Sequence, residues 1–303
     1  MLYPMRLSHT LDNGLRLQGF HGTEYLSAPF AFRLQFVGND KNVLIRDRFN
    51  QPLGIKITKS DEQTRYFHGV LTDISVKGCN ARGDRYYEDI LQPRLWILRS
   101  VVDSRIFQRC DVVSVIKGCL KTFPEIEYRL RLTKPYPVMD YCVQYQESVF
   151  YFIHRVCAEA GISYYFQHAF EKHTLVFIDS LKAIDEQSVF LLHALTLEKT
   201  IELSDAGEKT TVSCYHTEQL SLTPGLRVDD LNNQGIVTAV SHHVSRGYQN
   251  QLSVIPANKP FHPAFEDFPK PCIGGVDMAT VIASEPARVK LRFDWDAHWV
   301  GAG

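Results

Sequence analysis

Strict alternation of apolar and other residues is the feature that most constrains the fold of this chain. Large apolar side chains recur at every second position from Phe30 to Phe36. Successive side chains of a β-strand point to opposite faces of a sheet, so this pattern predicts a strand with one buried face. Pro29 before the run and Gly-Asn-Asp at residues 38–40 behind it favour a strand bounded at those points.

Similar runs place β-rich parts at both ends of the chain. A strand is predicted wherever apolar residues alternate between turn-forming residues. The stretch from Ile255 to Pro271 contains five prolines and predicts an extended linker. The further predicted strands are residues 70–76, 85–93, 235–241, 249–255 and 288–295.

The middle of the chain has helical periodicity instead. Asp111 is a suitable N-cap before apolar residues at helical spacing, although Gly118 weakens that helix. A stronger helix is predicted from about Glu147 to Ala160, and Gly161 can adopt the left-handed conformation that ends it.

A two-stranded ribbon is predicted directly after this helix. Residues 162–166 and 174–178 have the composition of strands, and residues 167–173 form a polar tip between them. We expect the residues from Tyr164 to Phe166 to alternate between core and surface.

Composition excludes several classes of protein. The 303 residues include 33 Lys and Arg against 34 Asp and Glu, which gives a formal net charge of −1. Because the charges are interspersed, we expect no nucleic-acid partner. No apolar run is long enough to cross a bilayer, and no secretory signal is visible, so synthesis in the cytoplasm and no stable membrane insertion are expected. The seven cysteines form no CxxC pair and predict free thiols.

The sequence also lacks the motifs of common catalytic sites. It contains no GxSxG, HExxH or phosphate-binding loop. His242 and His243 are adjacent, and on a strand they point to opposite faces, so they do not chelate one ion easily. Asp294 and Asp296 are expected to be exposed residues at a strand end. We therefore predict no catalytic residue, no metal ligand and no cofactor.

Three ordered stretches carry more specific information. The first combines residues 66–70 (YFHGV), 92–98 (QPRLWIL) and 103–108 (DSRIFQ). The second, residues 146–168, begins QESVF and ends EAGISYYFQH, and the third lies within residues 247–274. Together they resemble the hub region of VgrG proteins, the spike proteins of type VI secretion, and the baseplate hubs of contractile phages.

The resemblance implies a mainly β (α+β) fold with two tube-like β-barrel units and an inserted α/β portion. It implies a homotrimer whose partners are tail-tube subunits and baseplate proteins, and a protein that is secreted through the type VI apparatus without a signal peptide. The domains expected are residues 1–98 (first barrel), 99–180 (inserted portion), 181–270 (second barrel and linker) and 271–303 (start of an OB-like domain).

The matched motifs also supply candidate residues for packing and assembly. We expect Trp96 and Phe107 to be apolar anchors, and Arg105 and Glu147 to make structural polar contacts. The full set of assembly residues suggested by the resemblance is Trp96, Arg105, Phe107, Gln108, Glu147, Ser148, Gly161 and Tyr165.

The sequence departs from the family pattern near its end. Residues 288–296 resemble the strand "R-V-K-V-x-F-x-W-D", but Ala287 stands where glycine is usual. We expect a chain truncated before the family's needle. The leading interpretation is a non-enzymatic hub. The alternatives are a truncated spike remnant, the hub of a phage-like particle, a cell-wall hydrolase or effector-bearing variant, and an independent all-β binding module.

Overall fold

The structure is a computed structural model in which the chain divides into two compact units. We call residues 1–94, 127–133 and 163–263 the sheet unit, and residues 95–126, 134–162 and 264–303 the helix unit. Within the described residues, none of the helices is long and apolar enough to span a membrane. The residues that the structure describes are 6–9, 15–38, 48–59, 63–180, 190–191, 196–205, 208–230, 233–258, 261, 270–296 and 298.

The secondary structure agrees with the predicted pattern of many short strands and few helices. A 3₁₀ helix covers Arg94–Ser100, and the α-helices are α1 (Val112–Leu120) and α2 (Val149–Glu159). The strands are β1 Arg6–His9, β2 Arg16–Tyr25, β3 Ala28–Gly38, β4 Pro52–Thr58, β5 Thr64–Cys79, β6 Arg85–Gln92, β7 Val102–Cys110, β8 Tyr128–Arg131, β9 Met139–Ser148, β10 Ser163–His168, β11 His173–Ile178, β12 Phe190–Leu191, β13 Thr196–Asp205, β14 Glu208–Thr217, β15 Arg227–Asp230, β16 Asn233–Val244, β17 Tyr248–Pro256, β18 Ala279–Glu285 and β19 Arg288–Phe293.

The sheet unit contains one long ladder of strands. Its order is β1-β4-β5-β6-β3-β2-β16-β17-β14-β13, and β15 with β12 branches from β16. Antiparallel pairing of β2 with β16 joins the strands β1 to β6 to the later strands β13, β14, β16 and β17. The mainly β prediction is confirmed. In the described strands, however, the two predicted β units share this continuous ladder. Among the residues that the structure describes, the ladder has β1 at one end and β13 at the other, and these two strands are not paired with each other.

The predicted alternation on β3 is confirmed by burial. Phe30, Phe32, Leu34 and Phe36 are each at most 1% exposed, whereas Arg33 lies on the opposite, exposed face. Aromatic rings from other strands complete this core. Phe20 and Phe67 each meet the ring of Phe32 edge to face, with centroids 5.7 and 5.1 Å apart. The predicted turn at residues 39–40 lies outside the described residues.

The ribbon of β10 and β11 belongs to the sheet unit and pairs in parallel with β8. Tyr164, Tyr165 and Phe166 are all buried, at 1%, 4% and 5% exposure, so the expected alternation between core and surface was wrong. Both faces of the ribbon are covered. Phe166 packs against Phe30 at 5.1 Å between centroids, and Tyr165 contacts a separate cluster that includes Leu26.

Close approach of two backbones explains one glycine of β2. A Cβ built on Gly19 would lie 2.2 Å from the carbonyl oxygen of Val244 on β16. We expect Gly19→Ala to lower the free energy of unfolding by about 3 kcal/mol. The new Cβ would clash with a backbone carbonyl, which cannot move aside as a flexible side chain can. Chemical denaturation would measure the loss. Gly274→Ala is the control, since no atom lies within 4 Å of its Cβ, and equal losses in both variants would contradict the explanation.

The helix unit contains the strongest predicted helix and its neighbours. α1 begins after Asp111, whose side chain accepts a hydrogen bond from the Ser114 N–H at 2.7 Å, as an N-cap does. β7 and β9 form a separate antiparallel pair. α2 follows β9 directly, and its apolar face is buried, with Phe152 and Ile153 fully inaccessible.

The last strands of the helix unit form the hairpin of β18 and β19, in which the predicted final strand is confirmed. Most of its side chains are exposed, including Val281 and Val289. Asp294 is exposed as expected, but Asp296 is only 7% exposed, so that expectation was wrong for Asp296. The chain turns after β19, where the Asp296 N–H donates a hydrogen bond to the Phe293 carbonyl oxygen at 3.1 Å. Because of this turn, Asp296 does not continue the exposed face of the strand.

The division into four domains that we expected from the sequence stays a prediction. Contacts group the chain into the two units above, each built from separate segments. Most of the predicted linker, residues 255–271, lies outside the described residues. All seven cysteines are free thiols, as predicted.

Candidate assembly site

Trp96 lies on the 3₁₀ helix and forms one side of an aromatic cluster. The guanidinium carbon of Arg99 stands 4.0 Å from the centre of the Trp96 ring, a cation–π contact. The Phe150 ring meets Trp96 edge to face at 6.0 Å, and Arg99 also donates a hydrogen bond to the Tyr151 hydroxyl. The cluster ties the start of α2 to the 3₁₀ helix within the helix unit.

Arg105 is only 6% exposed and lies on β7 opposite Gln144 of β9. Its Nε donates to the Gln144 side-chain oxygen at 3.2 Å, and the Gln144 amide donates in turn to the Glu147 carbonyl at 2.8 Å. A carboxylate oxygen of Asp103 lies 3.7 Å from the same Nε. These contacts connect the middle of β7 to the end of β9.

Glu147, near the end of β9, forms a buried ion pair with Arg155 of α2. Arg155 donates through Nε at 3.2 Å and through Nη2 at 2.9 Å to the two carboxylate oxygens. Both side chains are 7% exposed. Although burial alone would lower it, the pKa of Arg155 is raised by the Glu147 carboxylate. Arg105 and Glu147 therefore each have a polar partner, and Gln144 bonds both of them.

Phe107 explains why α1 contains a glycine. Its ring stacks on Phe152 with centroids 5.8 Å apart, and the Arg105 guanidinium lies 4.9 Å from the Phe107 centroid. A Cβ on Gly118 would lie 2.9 Å from the Phe107 ring. The residue that weakens α1 by propensity thus makes room for the ring.

The other candidates have simpler roles. Ser148 is the N-cap of α2 and accepts a hydrogen bond from the Tyr151 N–H at 3.2 Å. Gly161, just after the helix, has φ of +66°, which glycine adopts without strain. Gln108 is exposed on β7. Tyr165 lies apart from the rest, since it is buried in the sheet unit.

Sequence reasoning missed a buried polar cluster in the sheet unit. Glu24 is 3% exposed, and its Oε2 lies 2.7 Å from both Arg65 Nη2 and His242 Nε2. His168 Nε2 is 3.0 Å from Oε1. The spacing of residues in the sequence could have indicated this cluster. Glu24 lies four residues after the buried Phe20 on β2, so both side chains point to the same, buried face of the strand.

Charge balance keeps Glu24 ionised inside this core. Burial by itself would raise its pKa, but the Arg65 charge and the contacts with His168 and His242 hold that pKa well below the usual range. His242 is 2% exposed and hydrogen-bonded, whereas His243 is exposed, which confirms that the two histidines face opposite sides. No group of three or more His, Cys, Asp or Glu side chains in the described ranges is arranged to hold a metal ion.

Comparison with known proteins gives the family that the sequence motifs resemble. Residues 23–200 match the model of the phage tail baseplate hub (GPD) family. The chain is 31% identical over 169 residues to VgrG1b of Pseudomonas aeruginosa, a type VI secretion system spike protein, which covers 56% of this chain and 23% of that protein. It is 23% identical to the actin cross-linking toxin VgrG1 of Vibrio cholerae, covering 98% of this chain and 37% of the toxin.

Structural comparison extends over nearly the whole chain. The E. coli c3393 protein, a type VI secretion component described as similar to the T4 phage tail proteins gp27 and gp5, superposes with a TM-score of 0.81 at 19% identity. The match covers 96% of this chain and 90% of that one. The chain spans only about a quarter of the length of VgrG1b. The resemblance to the VgrG hub region that the motifs predicted is confirmed, and the chain belongs to the phage tail baseplate hub (GPD) family.

Proposed function

We propose that this chain is a structural hub subunit of a type VI secretion spike or baseplate and joins the tail tube to the spike as a trimer. The observation that carries the proposal is the family match across residues 23–200, combined with a hub-like fold over nearly the whole chain. Its partners would be two further copies of itself, tail-tube subunits and baseplate proteins. The apparatus itself would carry it out of the cell.

The proposed role is non-enzymatic. Most of the candidate assembly residues make packing contacts or structural hydrogen bonds. Trp96 and Phe107 pack against aromatic rings, and Glu147 pairs with Arg155. The Vibrio cholerae relative is an actin cross-linking toxin, and this chain matches 37% of that protein.

Native mass spectrometry combined with capture of the tail-tube protein tests this function. We expect a species of three times the 34.7 kDa chain mass that retains tail-tube subunits on an affinity resin. Gly274→Ala should behave as the wild type, because its Cβ meets no neighbour. A stable monomer that does not retain the tube protein would rule out the hub role and leave the fold assignment intact.

We also propose that Glu147 supports assembly through the helix unit. Loss of its pair with Arg155 should weaken the packing of α2 on β9, so Glu147→Ala is expected to reduce the trimer fraction in the same spectra. If Glu147→Ala trimerises fully and melts at the wild-type temperature, this residue has no assembly role.

A further inference from the structure

Two buried histidines of the sheet unit face each other through the same ring nitrogen. His68 Nδ1 on β5 lies 2.9 Å from His173 Nδ1 on β11, and the residues are 5% and 9% exposed. The Arg94 N–H donates to His173 Nε2 at 3.1 Å. His173 Nε2 therefore carries a lone pair, so the ring proton of a neutral His173 sits on Nδ1 and is donated to His68.

This arrangement accepts no additional proton without losing a hydrogen bond. A proton on His173 Nε2 would point at the Arg94 N–H, so two hydrogen-bond donors would face each other and this hydrogen bond would be lost. A proton on His68 Nδ1 would point at the proton of His173 Nδ1. The contact between β5 and β11 thus requires both imidazoles to be neutral.

His242 on β16 is constrained in the same way. Its Nε2 donates to the ionised Glu24, so its Nδ1 accepts from the Tyr248 hydroxyl at 2.8 Å, and Tyr248 in turn accepts from the Asn250 amide at 2.9 Å. Protonation of Nδ1 would reverse the Tyr248 hydrogen bond and leave the hydroxyl proton to find another acceptor.

His168 connects these groups to the ribbon of β10 and β11. Its Nδ1 lies 3.0 Å from the His68 backbone N–H and 3.1 Å from the His68 carbonyl oxygen, and its Nε2 faces Glu24. The ribbon is therefore held on β5 by two polar contacts, one through each of its strands. Both contacts end on His68.

The surroundings of His68, His173 and His242 disfavour a charge on these three rings. Burial, followed by the neighbouring His168 and Arg94, lowers the pKa of His68 to about 4 and holds that of His173 well below its usual range. Burial also lowers the pKa of His242, against the opposing pull of Glu24. The titratable and charged groups that face this network are Glu24 on β2, Arg65 on β5, Arg94 on the 3₁₀ helix, Glu127 before β8, His168 on β10 and Tyr248 on β17.

We propose that the buried contact of His68 with His173 is an acid-sensitive latch, which holds the β10–β11 ribbon on the sheet when both rings are neutral and releases it on acidification. The direction follows from proton uptake. An opened ribbon exposes imidazoles with an ordinary pKa of about 6.5, so it binds more protons than the closed one below that pH. Closed-ribbon stability is thus complete above pH ~6.5 and falls as pH drops toward the pKa of the folded state.

Hydrogen exchange of the full chain, corrected for intrinsic exchange rates, measures the latch. Two imidazoles should make the opening constant of the β10–β11 amides rise about 60-fold from about pH 6 to pH 5, because each proton contributes about eightfold over this interval when the open-state pKa is about 6.5. His173→Gln keeps a donor for His68 and an acceptor for the Arg94 N–H but does not titrate, so the rise over the same interval should shrink to about eightfold. His243→Gln, at the exposed neighbour of His242, should match the wild type.

Imidazole nitrogen NMR of the wild type tests the same proposal without a variant. We expect neutral rings at about pH 5.5, with the proton on Nδ1 of His173 and on Nε2 of His68. A charged His68 or His173 at that pH would overturn the latch. So would a His173→Gln chain whose ribbon opening keeps the wild-type pH dependence, or a wild-type ribbon whose protection changes only below about pH 4, where carboxylates titrate.

Discussion

Replacing Glu147 by alanine is expected to lower the free energy of unfolding by about 3–5 kcal/mol, because it leaves a buried Arg155 charge without its carboxylate. Both carboxylate oxygens are engaged by Arg155, and both side chains are 7% exposed. Urea denaturation followed by tryptophan fluorescence measures the loss, since Trp96 packs at the start of α2 in the same unit.

Glu159→Ala is the matched control, because Glu159 bonds the same guanidinium from the surface. Its carboxylate lies 3.3 Å from Arg155 Nη1, but its side chain is 53% exposed. Solvent screens such a pair, so the loss should stay below about 1 kcal/mol. Similar losses in the two variants would show that burial does not decide the strength of the Glu147 pair.

Replacing Glu24 by glutamine is expected to cost about 3 kcal/mol at neutral pH, because Arg65 then stays largely buried beside a neutral amide. Arg65 is 12% exposed at its side chain and stands 2.7 Å from the carboxylate. Since the pKa of Glu24 is held below its usual range, its contribution is complete above the unfolded pKa of ~4.3 and is lost as pH falls through the folded pKa. The difference between wild type and Glu24→Gln should therefore shrink in acid.

Denaturation of both proteins at neutral pH and in acid tests this expectation. Glu88→Gln is the control in the same sheet, because Glu88 pairs with Arg33 and Lys77 at side chains that are 45% and 52% exposed. We expect Glu88→Gln to change stability by less than about 1 kcal/mol. A Glu24→Gln protein as stable as the Glu88→Gln protein would contradict a structural role for the buried cluster.

Local chemistry made many elements predictable from the sequence. The apolar residues from Phe30 to Phe36 alternate because a strand has a period of two, and that period can be read in the sequence. Asp111 marks the start of α1 and Gly161 the end of α2, because caps depend on neighbouring backbone groups only. The family motifs identify Glu147 as a candidate without any contact, because a motif depends only on the order of residues along the chain.

Partners distant in the chain could not be predicted in this way. Arg155 is a charged residue on an apolar helix face, and nothing local distinguishes it from a solvated arginine until β9 brings Glu147 against it. The ribbon residues Tyr164 to Phe166 were expected to have an exposed face, but a ribbon covered on both sides buries all of them. Burial of this kind depends on what packs against an element.

The sequence by itself thus determined the strand and helix periods, their caps and, through ordered motifs, the family. Only the tertiary structure decided that β2 pairs with β16, and with it that Glu24 meets His242 in the core. The physical reason is that a period or a cap depends on residues a few positions apart. The ionisation of Glu24 and the neutrality of His68 and His173 depend on burial and on hydrogen-bond partners that only the folded chain brings together.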